Sequence, residues 1–273
     1  MPELPEVETV KEGLKLKVVG KVIRDVIINY DGIIEYPSIT EFCDNIKGQR
    51  INDIDRYGKW LIFVLDNYYL LSHLRMEGKY FIKDKNDIVL KHEHVIFRFD
   101  DDSELRYTDV RKFGKMHLID KDKINSIGPF INMGLEPWDK NLTTNYLKEK
   151  YSKKKLPIKS VLLDQSIIVG IGNIYADEIL FLSRINPLKK ACELNNIELS
   201  NIIKYTKLEL EMAIKKGGTT IRSYSSVDGV HGLFQQELNV HTKDKCPVCG
   251  SIIKKIKVGG RGTYYCDKCQ RES

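Results

Sequence analysis

Four cysteines near the end of the chain have the spacing of a metal site. They form two pairs, CPVC and CDKC, separated by sixteen residues, and comprise Cys246, Cys249, Cys266 and Cys269. Two thiolates on a tight turn can reach one ion, and two such pairs complete a closed tetrahedral site of the structural kind that zinc prefers. The alternative, a disulfide framework, is uncommon in the reducing cytosol. We therefore predict one structural zinc ion, with Cys43 and Cys192 as ordinary thiols.

The first residues, MPELPEVETV, place a proline directly after the initiator methionine. Removal of Met1 would leave Pro2 with a free secondary amine, which can attack a sugar carbon and form a charged iminium. An α-amino group has a reference pKa of about 7.7–8.0 against about 10.4 for lysine, so keeping it neutral at pH 7 costs roughly 3–4 kcal/mol less. Glu3 beside it could transfer a proton. Alternatively, Pro2 is only a stable terminus and PEVE the solvated start of a helix.

Composition and charge indicate a globular protein of two domains with an anionic partner. The chain has 273 residues, 42% hydrophobic and 30% charged, and no apolar run approaches the ~20 residues of a membrane span. The first ten residues carry three acids and no apolar block. We therefore expect no signal or transit peptide, no membrane partner and a cytoplasmic location. The net charge is +6, and residues 148–159 include six lysines, although a lysine run alone is more often a solvated helix face.

The chain changes character near its middle. From about Lys21 to Leu118, short alternating apolar runs separated by turn clusters predict a β-rich domain, a sandwich or a barrel, preceded by one helix from Pro5 to about Val19. The segment GPFINMGLEPWDKNL is typical of a linker, and helical periods follow it. We predict an α+β protein divided into an N-terminal β-sandwich with a leading helix (1–131), a linker (132–145), a helical domain (146–235) and a zinc-bound β-hairpin (236–273).

A glycine-rich stretch, VGIGNIYADEIL, has the look of a phosphate loop before a helix. The dinucleotide fingerprint needs a third glycine three residues after Gly172, where Tyr175 stands, so we do not predict Rossmann binding. Asn173 suits an N-cap ahead of Ile174, and a helix N-terminus with free N–H groups is a natural seat for a backbone phosphate. A plain capping role would use the same residue.

Motifs along the whole chain resemble those of the formamidopyrimidine-DNA glycosylase family, the bacterial enzymes that excise oxidised purines. The motifs are, in order, MPELPEVETV, RYGKWL, SHLRMEGK, KHEHV, YTDVRKFG, MGLEP, KKKLPIK, VGIGNIYADE, GGTTIRSY, FQQELNV and CPVCGSIIKKIKVGGRGTYYCDKC. The related endonuclease VIII-like enzymes usually have glycine where Leu4 stands, so Leu4 favours the purine branch. Two positions depart from the family pattern: His241 replaces a common tyrosine, and Ser223 stands where an acid is frequent, in the loop that covers the everted base.

The resemblance implies a bifunctional glycosylase and lyase. Pro2 is expected to attack C1′ of the damaged nucleoside, Glu3 to protonate the opening sugar, and Lys59 to bind phosphate and assist proton transfer. Glu6, one helical turn after Glu3, is expected to hold the helix or the amine. Arg261 is assigned to the catalytic set through its phosphate contact.

The same resemblance implies how damaged DNA is held. Met76, Arg111 and Phe113 are expected to fill the space left by the everted base, with Arg111 hydrogen-bonding the orphaned cytosine. The expected contacts to double-stranded DNA are His92, Arg111, Lys154, Lys159, Asn173 and Arg261. The helical domain is expected to have the helix-two-turns-helix form, and the protein to be a monomer.

One other class of protein fits the zinc site and the basic run: a non-catalytic zinc-hairpin DNA-binding protein that senses lesions. Pro2, Glu3 and Lys59 distinguish the two hypotheses, because a pure binder has no use for a nucleophilic N-terminus. The sequence therefore favours the enzyme.

Overall fold

The computed structural model describes residues 1–219 and 232–271, which form two compact units. The first unit comprises residues 1–132 together with 217–219 and 232, and the second comprises residues 133–216 and 233–271. Residues 217–219 and 232 cluster with the first unit and not with the helical one.

The first unit is a β-sandwich with a leading helix, as predicted. Its helices are α1 (Leu4–Val18) and α2 (Ile39–Ile46), and its strands are β1 (Ile23–Ile28), β2 (Ile34–Tyr36), β3 (Asp53–Tyr57), β4 (Trp60–Val64), β5 (Tyr68–His73), β6 (Lys79–Asp84), β7 (Glu93–Phe99), β8 (Ser103–Thr108) and β9 (Lys115–Asp120). The strands form one sheet in the order β1-β7-β8-β6 and a second in the order β2-β9-β5-β4-β3. Neighbouring strands are antiparallel except β2 and β9.

One apolar cluster joins both sheets and α1, which explains why the first helix lies where it does. Val7, Val10, Leu14 and Val18 recur at helical spacing along α1, and all are buried in this cluster. The same cluster includes apolar side chains from both sheets, such as Phe97 and Phe63. Burying an apolar stripe of this kind is the main source of helix stability in a folded protein.

The second unit consists of four helices and a β-hairpin. These elements are α3 (Thr144–Tyr151), α4 (Ile158–Leu162), α5 (Asn173–Leu182), α6 (Asn196–Lys215), β10 (Lys254–Val258) and β11 (Arg261–Tyr265). The antiparallel pair β10 and β11 is the predicted hairpin between the two cysteine pairs. Within the described ranges, no helix has the length and apolar character needed to cross a membrane.

The segment predicted as a linker is partly built into the second unit. Leu135 forms a parallel bridge with Ile168, and a Cβ at Gly134 would lie 2.3 Å from the backbone of Ile167. Only glycine allows this close approach of two backbones. Residues 133–135 are therefore packed structure and not a free connection.

Candidate functional site

The start of α1 holds the predicted nucleophile and proton donor in buried positions. Pro2 is buried directly after the exposed Met1, and Glu3 is 2% exposed. Glu3 is the N-cap of α1 and forms a reciprocal capping box with Glu6: each side chain accepts from the other's backbone N–H, at 2.8 Å from Glu3 N to Glu6 Oε2. This motif satisfies two helix N–H groups that would otherwise lack partners. Glu3 is therefore held in place by two hydrogen bonds, one through its side chain and one through its backbone N–H.

Glu6 also forms hydrogen bonds with Thr219, which is distant from it in the sequence but belongs to the same unit. Its Oε1 accepts hydrogen bonds from the backbone N of Thr219 at 2.7 Å and from Thr219 Oγ1 at 3.1 Å. A Cβ on Gly218, which has a φ of +77°, would lie 2.6 Å from the same oxygen. Glu6 thus holds the helix start, as expected, and also secures residues 218–219 beside it.

Lys59 lies in a two-residue turn between β3 and β4 and is only 6% exposed. Gly58 precedes it with a φ of +56°, a conformation that glycine adopts without strain. Because the side chain is buried, Lys59 is not an ordinary surface lysine. Burial, and after it the charges of Arg75 and Lys59, lower the pKa of His73 to about 3. His73 is therefore neutral at physiological pH.

Arg56 joins the Lys59 turn to α1, a role that sequence reasoning missed. Its Nε donates to Glu8 Oε2 at 2.7 Å, and its Nη1 donates to the carbonyl of Gly58 at 3.0 Å. Burial would raise the pKa of Glu8, but hydrogen bonds from Lys11 and Arg56 outweigh it and the pKa is lowered. Glu8 is one helical turn from the capped start of α1. The Arg56 bridge consequently fixes the turn that carries Lys59 against the helix that carries Glu3.

Two loops carry the predicted space-filling residues, and they meet at one buried tyrosine. Met76 lies in the loop after β5, and Arg111 and Phe113 lie in the loop after β8. A Cβ on Gly78 would lie 2.4 Å from the hydroxyl of Tyr107, and one on Gly114 would lie 1.7 Å from it. These glycines allow both loops to close around the same hydroxyl group.

Asp109 shapes the second of these loops from inside. Its carboxylate is fully buried and accepts from three backbone N–H groups: Arg111 at 3.0 Å, Phe113 at 2.8 Å and Gly114 at 2.8 Å. The result is an exposed Phe113 ring, 48% accessible, with the Arg111 guanidinium 4.7 Å from its centre. The loop presents an apolar wedge together with a fixed hydrogen-bond donor.

His92 lies beside the same loop. Its carbonyl accepts from the backbone N of Asp109 at 3.1 Å, and its ring is 6.2 Å from that of His94. The buried His92 Nδ1 has no hydrogen-bond partner among residues 1–219 and 232–271.

In the second unit, Lys159 lacks the exposed position that a contact to a DNA phosphate requires. Its side chain is fully buried, and its Nζ donates to Asp177 Oδ1 at 2.6 Å and to the carbonyl of Asn173 at 2.7 Å. The expectation that Lys159 grips DNA directly is therefore wrong for this conformation. A buried ammonium needs a counter-ion, and Asp177 provides it, so the last lysine of this run forms an internal ion pair. Lys154, by contrast, is 39% exposed and paired with Asp164.

Asn173 is the first residue of α5, and Gly172 is the N-cap, one position earlier than predicted. The Asn173 side chain makes no cap. Its Nδ2 donates to the carbonyl of Gly262 at 2.9 Å, while its buried Oδ1 has no partner within the described part of the chain. Asn173 therefore connects the helix to the zinc hairpin.

Arg261 follows the hairpin turn and is exposed. Gly259 and Gly260 form the two-residue turn with φ of +54° and +79°, and Val258 pairs with Arg261 across it. Positive φ at both positions is the tight hairpin turn that matches strand twist, and glycine favours it. The predicted hairpin is confirmed, and its tip presents the arginine.

The four cysteines converge as predicted. The sulfur atoms of Cys246, Cys249, Cys266 and Cys269 all lie within 4.8 Å of one another. That spacing and donor set fit a tetrahedral thiolate site for zinc, which has no open position for a water or substrate. Gln270 supports the site: it accepts from Cys266 N at 2.9 Å and donates to the carbonyl of Ile185 at 2.9 Å.

One prediction concerns residues outside the described ranges. Ser223 and most of the segment expected to cover an everted base lie between 220 and 231; of residues 217–232, the structure describes 217–219 and 232.

Comparisons with known proteins agree with this arrangement. Three family models match the chain: formamidopyrimidine-DNA glycosylase N-terminal domain at residues 1–116, formamidopyrimidine-DNA glycosylase H2TH domain at 133–225, and the zinc finger found in FPG and IleRS at 243–271. With the four cysteines, the last match establishes one structural zinc ion.

Full-length relatives carry the same family name. The chain is 46% identical over 273 residues to a formamidopyrimidine-DNA glycosylase of Bacillus cereus, covering 99% of both chains. It is 48% identical over 274 residues to one of Oceanobacillus iheyensis, covering 99% of this chain and 98% of that protein.

Solved structures of a Lactococcus lactis protein are also similar. The complex of Lactococcus lactis Fpg with DNA containing an abasic site has a TM-score of 0.91 and 38% identity. The complex of the wild-type protein with DNA containing N7-benzyl-Fapy-dG has a TM-score of 0.91 and 39% identity. Each match covers 99% of this chain and 100% of the other.

Proposed function

Because the chain belongs to the formamidopyrimidine-DNA glycosylase family, we propose that it removes oxidised purines, 8-oxoguanine and formamidopyrimidines, from duplex DNA and then cuts the strand through a Schiff base on Pro2. The protein is a DNA glycosylase of base-excision repair, since full-length relatives at 46–48% identity carry that activity in their name. The purine preference and the covalent mechanism are the proposed part.

The first step is nucleophilic substitution at the sugar. After removal of Met1, the neutral nitrogen of Pro2 bonds to C1′ as the C1′–N bond to the damaged base breaks; the base leaves with the bonding electron pair and takes up the proton that the Pro2 nitrogen loses. The sugar ring then opens as its oxygen takes a proton from Glu3, which leaves an iminium on Pro2. The buried Glu3 beside the buried Pro2 is the observation that carries this step.

The iminium makes strand cleavage possible. It acidifies the C2′ hydrogen, so loss of that proton expels the 3′ phosphate, and a second elimination expels the 5′ phosphate. The strand is left with a gap. Lys59 binds phosphate near the lesion and assists proton transfer, and the Arg56 bridge holds its turn against α1.

Access to C1′ requires eversion of the nucleotide, which costs a few kcal/mol. Met76 and the exposed Phe113 fill the space that the base leaves, and Arg111 donates to the orphaned cytosine. The Asp109 hydrogen bonds support this role, because they hold the wedge in one conformation before DNA binds.

Duplex DNA is held mainly through phosphates. His92, Lys154, Asn173 and Arg261 remain the proposed contacts, and such contacts position the duplex without reading sequence. Neutralising several phosphates predicts a steep loss of affinity with salt. The protein acts as a monomer in the bacterial cytoplasm, where its DNA substrate lies.

Borohydride trapping tests the nucleophile. Protein shown by mass spectrometry to begin at Pro2 should form a covalent adduct with a duplex carrying 8-oxoguanine opposite cytosine. Pro2→Gly should lower the trapped fraction by about tenfold or more, since the ring amine is lost. Glu193→Gln, an exposed surface change, is the matched control and should trap normally.

Two results would contradict the proposal. Absence of an adduct from correctly processed protein would remove Pro2 as the nucleophile. If undamaged duplexes and duplexes with oxidised pyrimidines gave as much adduct as the 8-oxoguanine duplex, the purine preference would be wrong, while the covalent step would stand.

A further inference from the structure

Asp177 is a fully buried carboxylate shared by two donors from different parts of the second unit. Lys159 Nζ donates to its Oδ1 at 2.6 Å, and His241 Nδ1 lies 2.7 Å from its Oδ2. An ionised carboxylate only accepts, so the proton on this side of the imidazole must lie on Nδ1. His241 is the position at which this chain departs from the tyrosine common in the family.

The neighbouring carboxylate holds the backbone on which His241 stands. Glu178 is fully buried and accepts from the backbone N of Asn239 at 2.6 Å, of Val240 at 3.0 Å and of His241 at 2.8 Å. Asn239 Nδ2 also donates to Glu178, at 3.0 Å. The three backbone contacts of Glu178 would survive exchange of side chains at 239–241. The Asp177 hydrogen bond is to the His241 imidazole and would be lost if that side chain were exchanged.

Both donors of Asp177 are connected to β11, the hairpin strand that begins at Arg261. His241 packs directly on this strand, and Lys159 is connected to it through Asn173. The His241 ring packs edge-on against Tyr264 with ring centres 4.9 Å apart. Lys159 donates to the Asn173 carbonyl at 2.7 Å, and Asn173 Nδ2 donates to the Gly262 carbonyl at 2.9 Å. Gly262 and Tyr264 lie on β11, one and three residues after Arg261.

We propose that Asp177 is a positioning residue for Arg261. It acts through Lys159 and Asn173 on one side and through His241 and Tyr264 on the other, so that the hairpin tip has one orientation. Buried ion pairs of this kind hold two elements in register because a charge left without its partner is costly. Lys159 thereby contributes to DNA binding without touching DNA. This inference rests on the proposed phosphate contact of Arg261.

A double-mutant cycle on the zinc-loaded, full-length protein tests the coupling. The four proteins are wild type, Asp177→Asn, Arg261→Gln and the double variant, each measured for affinity to a duplex with a tetrahydrofuran abasic analogue over a range of salt. Arg261→Gln should weaken binding by about tenfold and reduce the slope of log K against log salt by about 0.9, since one phosphate contact is lost. Asp177→Asn should weaken binding severalfold with a similar reduction in slope, and should add nothing to Arg261→Gln.

The controls separate positioning from general destabilisation. Glu193→Gln also removes one negative charge from the second unit, but from an exposed pair with Lys190, and should leave affinity and salt slope unchanged. Zinc content and the thermal midpoint are measured for every protein. If Asp177→Asn does not fold, His241→Phe takes its place in the cycle, because it keeps a ring beside Tyr264 and removes only the hydrogen bond.

The two possible failures are distinguishable. If Arg261→Gln changes neither affinity nor salt slope, the proposed phosphate contact is wrong. If Arg261→Gln weakens binding but the Asp177 or His241 effect is fully additive with it, the phosphate contact stands and the positioning role is overturned.

Discussion

Each unit uses a buried aspartate to hold an exposed arginine, but the two aspartates have different partners. Asp109 accepts from three backbone N–H groups of the loop that carries Arg111 and Phe113, and at a longer 3.4 Å from the Tyr107 hydroxyl. Asp177 accepts from two side chains, Lys159 and His241. Backbone donors are present whatever the side chains are, whereas side-chain donors depend on residue identity. The first arrangement therefore tolerates substitution of its partners, and the second does not.

A third buried carboxylate has no hydrogen-bond donor among residues 1–219 and 232–271, and it gives the largest expected effect. Glu209 on α6 is 1% exposed, and neither carboxyl oxygen has a hydrogen-bond partner in the described chain. Burial, and then the charge of Glu178, raise its pKa to about 8. The folded protein therefore keeps Glu209 protonated to a higher pH than the unfolded chain does.

The sign of the pH effect follows from that difference. Below the unfolded pKa of about 4.5, Glu209 is protonated in both states and its ionisation does not lower the free energy of unfolding. The loss of stability grows as pH rises towards 8, and above pH 8 it is on the order of 4 kcal/mol. Glu209→Gln should remove this loss, so its thermal midpoint should exceed that of the wild type increasingly from pH 5 to pH 9. Parallel midpoint curves for the two proteins would contradict the assignment.

Lys159→Met comes next in size. It leaves Asp177 buried with His241 as its remaining partner, and breaking a buried ion pair in this way costs about 3–5 kcal/mol. Urea unfolding of the second unit should report the loss. Lys190→Met is the matched control, since Lys190 makes an exposed pair with Glu193 and its loss should cost less than about 0.5 kcal/mol. Equal effects of the two substitutions would show that burial of the pair is unimportant.

Asp109→Asn should have the smallest effect of the three. The amide keeps one acceptor oxygen for the backbone donors, so we expect a loss of about 1.5–3 kcal/mol in the free energy of unfolding. Asp66→Asn is the control, because Asp66 is exposed although it accepts from Arg50 N and Asn52 Nδ2. If Asp109→Asn were as damaging as Lys159→Met, backbone partners would offer no advantage over side-chain partners.

Features encoded by local spacing were predictable from the sequence. The zinc cysteines and the Gly-Gly hairpin turn depend on residues a few positions apart, and the structure has both. The apolar stripe of α1 is likewise a local pattern, and the helix ends within one residue of the predicted limits. The sandwich followed because alternating apolar runs can bury one face only by pairing sheets.

Features that depend on distant partners were not predictable. Lys159 was expected to contact DNA, and nothing local reveals that Asp177, eighteen residues later, neutralises it. Arg56 lies inside a motif that drew attention to Lys59, but its bonds to Glu8 and Gly58 needed the packing of α1 on β3. The close approach of Gly78 and Gly114 to the Tyr107 hydroxyl likewise depends on loops that meet only in the folded protein.

The amino-acid sequence by itself determined the chemistry that is available: a proline that can become an amine terminus, an acid beside it, four thiolates at zinc spacing and a family-wide order of motifs. The tertiary structure decided which charges face solvent and which face each other. The physical reason is that the type and the local spacing of reactive side chains are fixed by the sequence. The burial and pairing of a charge depend on elements that meet only after folding. Lys154 and Lys159, five residues apart in one lysine-rich run, have opposite environments for that reason.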